Sequence, residues 1–109
     1  MGLEVDLGTF AAAHADGALV IDVREPYEYA DGHVPGAKLI PLGSLPHQAG
    51  GLAGADGPVC VICASGNRSW TAAQFLARRG IDAKSVAEGT TGWMASGLPV
   101  VFGHRENVA

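Results

Sequence analysis

Two stretches of the chain are nearly continuous in apolar residues and show no in–out alternation. They are residues 18–23 (Ala18-Leu19-Val20-Ile21-Asp22-Val23) and residues 58–62 (Pro58-Val59-Cys60-Val61-Ile62). Such runs suit strands covered on both faces, as in a parallel sheet. Residues 84–87 form a weaker strand pattern, and residues 37–40, stopped by Pro41, a shorter one. Between these stretches the pattern is helical. Ala72, Phe75 and Leu76 make an i, i+3, i+4 stripe that predicts a helix from Asn67 to Arg79. Arg78 and Arg79 complement its C-terminal dipole, and Gly80 is expected to cap it. Thr9 is expected to cap a helix over residues 10–14 that ends at Asp16-Gly17, and Pro26 to open a short helix through Glu28 and Tyr29. Residues 43–57, broken by glycines and prolines, read as a long surface loop. Strands alternating with helices predict an α/β domain with a mostly parallel central sheet flanked by helices.

Composition narrows this picture. With 109 residues, 48% of them hydrophobic, the chain suits one core, so residues 1–109 are expected to form a single domain. The polar residues 103–109 read as a loose tail. No apolar run approaches the ~18–20 residues of a membrane span, so no membrane role is expected. A secretory signal pattern is absent from the start, and Asp6 stands where a myristoylation motif needs Ser or Thr. A net charge of −4 and scattered basic residues, apart from Arg78-Arg79, argue against nucleic acid as a partner. Two cysteines cannot build a secreted disulfide framework, so a reducing, cytoplasmic setting is expected.

The candidate chemistry lies where the second apolar run stops. Cys63 follows that predicted strand, and the strongest helix begins about four residues later. Active sites of open α/β sheets lie outside the carboxyl ends of their strands. The turn Ala64-Ser65-Gly66-Asn67 is small and polar, and Gly66 permits backbone angles that other residues avoid. Such a turn can aim successive N–H groups inward as a nest, with the positive end of the helix behind it. A thiol held there has a lowered pKa and reacts as the thiolate. Position alone is equally compatible with a buried structural cysteine. Cys60 completes a C-x-x-C with Cys63, but it lies within the strand. The two side chains then face opposite sides, roughly 10 Å apart along the chain, beyond disulfide reach.

Four motifs, in order, carry a resemblance. Cys63-Ala64-Ser65-Gly66-Asn67-Arg68-Ser69 resembles the active-site loop of single-domain rhodanese-like sulfurtransferases. Residues 19–25, followed by Glu28, resemble that family's first core strand and its Asp-x-Arg signature. Gly32-His33-Val34-Pro35-Gly36-Ala37 resembles its next motif, and Glu88-Gly89-Thr90-Thr91-Gly92-Trp93 its closing segment. Glu88 departs from the pattern, which usually has a first glycine there; its carboxylate either repels anionic donors or points into solvent.

The resemblance implies a rhodanese-like three-layer α/β domain and a two-step transfer through a Cys63 persulfide. Sulfane sulfur comes from thiosulfate or a persulfide donor and passes to cyanide or a thiol, a protein thiol among them. It implies sulfur and anion binding by the backbone of Ala64, Ser65, Gly66, Asn67 and Arg68, support from Asp22 and Arg24, and no metal or organic cofactor. Arg68, the loop's one cation, either binds an anionic donor or pairs with Asp22 or Glu28. His33 is expected to be a packing or hydrogen-bonding residue, and His14, His47 and His104 to lie on the surface. Trp93 is expected in the core and Trp70 at the pocket rim. Two rival functions share this architecture. A Cys-dependent phosphatase needs Arg six positions after its Cys, and here the interval is five, a smaller cradle. Noncatalytic binding modules of this family sometimes lose the Cys, whereas here Cys63 is present and its loop intact.

Overall fold

The computed structural model describes residues 2–107. Five strands are seen among them: β1 (Glu4–Val5), β2 (Leu19–Asp22), β3 (Lys38–Leu39), β4 (Val59–Ile62) and β5 (Ala83–Val86). They form one sheet in the order β1-β5-β4-β2-β3, every neighbouring pair parallel. β4 lies at the centre, with Val20, Ile21 and Asp22 of β2 opposite Cys60, Val61 and Ile62. The helices are α1 (Leu7–Ala15), α2 (Pro26–Ala30), α3 (Leu45–Gln48), α4 (Asn67–Arg78) and α5 (Gly89–Ala95).

Alternation along the strands divides the core into two layers. Ile21, Val59, Val61 and Cys63 face Leu45 of α3 and Ala72, Ala73 and Leu76 of α4. Val20, Cys60, Ile62 and Val86 face Phe10 of α1, Tyr29 of α2 and Trp93 of α5. Unalternating apolar runs are what such double coverage requires.

Three local expectations differ from the structure. The cap of α1 is Asp6, whose Oδ1 accepts the Thr9 N–H at 2.8 Å, so the helix starts earlier than a Thr9 cap allows. Helix α4 ends at Arg78, and Gly80 closes it as expected: its φ is positive, its N–H donates to Ala77 O at 3.0 Å and the Ile81 N–H to Leu76 O at 3.1 Å. The span expected to be a loop holds α3 between two short 3₁₀ turns, Leu42–Ser44 and Ala49–Leu52. Leu45, Ala49 and Leu52 are buried there; glycines hid an apolar spacing that only the sheet face turns into a helical layer. The expected loose tail is tied down as far as Glu106. Gly36 N–H donates to Glu106 O at 2.8 Å, and His33 Nε2 lies 2.6 Å from Arg105 O. Val108 and Ala109, the end of that tail, lie outside the described residues.

Candidate functional site around Cys63

Cys63 follows the last residue of β4, at the carboxyl edge of the sheet. The chain then turns through Ala64, Ser65 and Gly66 into α4. Gly66 is its N-cap, with φ 106°. A Cβ on Gly66 would stand 2.5 Å from the Ala87 carbonyl oxygen, so both the turn and the close approach of the segment after β5 demand glycine. That segment forms the loop's outer wall. Gly89 passes so close that a Cβ would meet Ala64 O at 2.5 Å. The first N–H groups of α5 then find their partners in the loop: Thr90 N–H donates to Cys63 O at 2.8 Å and Thr91 N–H to Ala64 O at 3.0 Å. Helix N-termini carry such orphan donors. Here they hold the loop carbonyls, which leaves loop N–H groups free for the interior.

Those N–H groups converge on the Cys63 sulfur. Gly66 N–H donates to Sγ at 3.1 Å, and Ser69 Oγ lies 3.4 Å from it. Burial pushes the thiol pKa up, but the Ser69 hydroxyl and the N–H groups of Ser69, Gly66 and Ser65 outweigh burial, and the net shift is down. Of the expected sulfur-binding residues, Ser65 and Gly66 thus reach Sγ. The Ala64 carbonyl accepts from the Thr91 N–H, and the Asn67 carbonyl from the Thr71 hydroxyl at 3.5 Å. Ser69, at the end of the same motif, also lies against the sulfur, a contact that nothing in the sequence pattern marks. Behind it, Ser85 Oγ on β5 lies 2.7 Å from Ser69 Oγ, and both serines are fully buried. A serine every few residues is too common a signal to single these two out.

The charged residues nearby are paired. Arg68 donates from Nη1 and Nη2 to the two carboxylate oxygens of Glu28, at 2.6 and 2.9 Å. This fork holds the Glu28 carboxyl down at about 2 and pushes Arg68 up. Of the partners expected for Arg68, Glu28 is the one it is seen to pair with. Arg24 forks onto Asp22, Nε to Oδ1 at 3.0 Å and Nη2 to Oδ2 at 2.8 Å. It also donates to Gly32 O at 2.9 Å, which ties the end of β2 to the residues after α2. Both are buried. Glu88 is exposed and its side chain lies over Gly92, where a Cβ would meet Glu88 Cβ at 2.4 Å. Trp70, in the first turn of α4, and Tyr27, on α2 beside Arg68, are exposed.

Elsewhere the expected roles divide. His33 is buried, stacked on Tyr29 with ring centroids 3.6 Å apart, and its Nδ1 lies 2.8 Å from Tyr29 O. His47 and His104 are exposed, and Trp93 is in the core. His14 is not a free surface group: its Nε2 lies 2.7 Å from Pro35 O and its ring packs on Trp93. It lines a surface groove of about 410 Å³ with Leu19, Pro35 and Asn107, around the start of β2 and away from every candidate site residue. Among the described residues, no cluster of three or more His, Cys, Asp or Glu is arranged to hold a metal ion. No helix among them is long and apolar enough to cross a membrane.

A parallel sheet with helices on both faces and a cysteine held by loop N–H groups at its carboxyl edge defines the class of the protein. Residues 7–96 match the model of the rhodanese-like domain, and the chain belongs to that family. It is 39% identical over 69 residues to the thiosulfate sulfurtransferase GlpE of Pseudomonas entomophila; the match covers 63% of this chain and 62% of that relative. A sulfurtransferase of Allochromatium vinosum is 31% identical over 90 residues, covering 82% of this chain and 83% of its own. Among solved structures, a rhodanese-related protein from Thermoplasma volcanium superposes with a TM-score of 0.82 at 31% identity, covering 90% of this chain and 96% of that one.

Proposed function

We propose that the protein is a sulfurtransferase in which Cys63 carries sulfane sulfur as a persulfide. The observation that carries this reading is the Cys63 sulfur itself. It is buried at the floor of a loop whose Gly66 N–H donates to it, with Ser69 Oγ 3.4 Å away, and its pKa is shifted down despite burial. Membership of a family with relatives named sulfurtransferases supports it independently.

In the first step the thiolate attacks the outer sulfur of the donor. With thiosulfate, a Cys63–S bond forms, the S–S bond of the donor breaks, and sulfite leaves with the electron pair; charge balances with a persulfide anion on the enzyme. With a low-molecular-weight persulfide, the leaving group is a thiolate. In the second step cyanide or a thiolate, protein thiols included, attacks the outer sulfur, and Cys63 leaves as thiolate. Donors aimed at Sγ stabilise the charge at both ends of the cycle.

The backbone of residues 64–68 binds the transferred sulfur. Asp22 and Arg24 hold the wall, and the reaction draws on no metal or organic cofactor. A reducing cytoplasm suits two free cysteines that face opposite layers. Phosphoryl transfer is disfavoured because Arg68 is already forked onto Glu28.

Intact-mass measurement after incubation with a panel of donors tests this reading. A gain of one sulfur atom is expected, absent in Cys63→Ala and retained in Cys60→Ala. An unchanged mass with every donor overturns it in favour of a binding module.

A further inference from the structure

Three buried atoms form a chain at the site: Cys63 Sγ, Ser69 Oγ at 3.4 Å, and Ser85 Oγ at 2.7 Å from Ser69. They come from three elements: the end of β4, the first turn of α4, and β5. Ser85 stands in register with Val61, two residues before Cys63. Both serines are 0% exposed and Cys63 is 1% exposed. Ser85 Oγ has no hydrogen-bond partner other than Ser69 among the described residues.

Each hydroxyl has one proton to donate, and counting these protons gives the chain a direction. If Cys63 holds its proton, three protons share the two links of the chain and one of them is left with no acceptor there. A buried donor left unpaired is costly. If Cys63 is a thiolate, Ser85 O–H donates to Ser69, Ser69 O–H donates to sulfur, and every proton is used. We propose that Ser85 is a positioning residue: it holds the Ser69 hydroxyl in the donating orientation toward Cys63 and so favours the thiolate.

On ionisation the Cys63 proton leaves to water and both hydroxyls turn. In the persulfide, Sγ remains an acceptor and the chain keeps its direction. When an acceptor removes the outer sulfur, Cys63 leaves into a donor already aimed at it. The charged groups on the elements around the chain are the Glu28–Arg68 fork, the buried Asp22–Arg24 pair, Lys84 of β5 with its partner Asp82, Arg78 in the last turn of α4, Glu88 after β5, and Glu4 of β1, which stands beside Ser85 in register. None of them hydrogen-bonds to either serine hydroxyl.

The catalytic importance of this chain rests on the sulfurtransferase reading, but its test does not, because Cys63 ionisation is measured without any sulfur donor. The pH profile of Cys63 alkylation by iodoacetamide is recorded in the full chain, with Cys60 labelling as an internal control. Ser85→Ala is expected to raise the Cys63 pKa by about 0.5–1 unit, and Ser69→Ala by more. In the Ser69→Ala background, Ser85→Ala adds nothing, because it acts only through Ser69. Cys60 labelling stays slow in all three variants. An unchanged pKa in Ser85→Ala, an equal shift in both backgrounds, or a rise in Cys60 labelling to match overturns the proposal. In the unmodified chain, the buried Ser69 and Ser85 hydroxyl protons should shift together by NMR as Cys63 deprotonates. A Ser85 signal that stays still overturns it as well, whether or not the alanine variants fold.

Discussion

Cys60 and Cys63 lie three residues apart on one strand and its extension, both all but hidden from solvent, at 3% and 1% exposure. Their surroundings differ completely. Cys60 faces Phe10, Tyr29 and Trp93 in the layer of α1, α2 and α5. Burial, with a smaller push from Asp82, moves its pKa up. Cys63 is on the other face, past the end of β4, where the ladder has stopped and N–H and O–H groups remain to be used. Its pKa moves down despite burial. Burial therefore does not decide the reactivity of a thiol; the donors that accompany it do.

The largest expected contrast is in transfer itself. Cys63→Ser should bring sulfur transfer to the uncatalysed level, read with thiosulfate and cyanide. Cys60→Ser should keep transfer but lose about 1–3 kcal/mol of stability in urea, because its hydroxyl would be buried among apolar groups. A Cys60→Ser variant with wild-type stability would contradict the account of that layer. Next comes Gly66→Ala, which places a Cβ against Ala87 O on a left-handed backbone. A stability loss of about 1–3 kcal/mol is expected, with transfer down roughly 100-fold as the cradle shifts. Intact transfer in that variant would mean that the Gly66 N–H is dispensable.

Labelling sharpens the comparison further. With both thiols all but hidden, Cys63 should react with iodoacetamide at neutral pH faster than Cys60, by up to about tenfold for each unit between their pKa values. Equal rates in the folded protein would remove the ionisation argument.

The smallest effect concerns the charges beside the loop. Glu28→Gln keeps an acceptor for the Glu25 N–H but releases Arg68. KM for thiosulfate, a dianion, is expected to fall about two- to fivefold, with little change for a neutral donor. The same variant tests acid stability. Glu28 is held at about 2 against an ordinary 4.5, so the ion pair stabilises fully above pH 4.5. That contribution is lost as pH falls through about 2. Acid titration of stability should be flatter over that window in Glu28→Gln.

Much of the fold was legible because its signals are local. The unalternating runs of β2 and β4 and the stripe of α4 stand in consecutive residues. Other elements carry no such signal. β1 is two residues long and exists through its pairing with β5. The Gly89-Thr90-Thr91-Gly92 start of α5 is poor in helix formers; its first N–H groups are satisfied by Cys63 and Ala64 carbonyls far away in sequence. α3 was hidden among glycines, and its burial against the sheet organises it.

The site divides in the same way. The sequence by itself determined that Cys63 ends a buried strand before a glycine-bearing turn and a helix, and that Cys60 faces the other way, because strand parity and helix periodicity are local rules. Only the tertiary structure decided which groups surround the sulfur. Ser69 and Ser85 meet because α4 packs back over β5, Arg68 is committed to Glu28 because α2 lies against the start of α4, and α5 holds the loop carbonyls from outside. Hydrogen-bond partners distant in the chain are set by packing, and the chemistry of Cys63 is set by its partners.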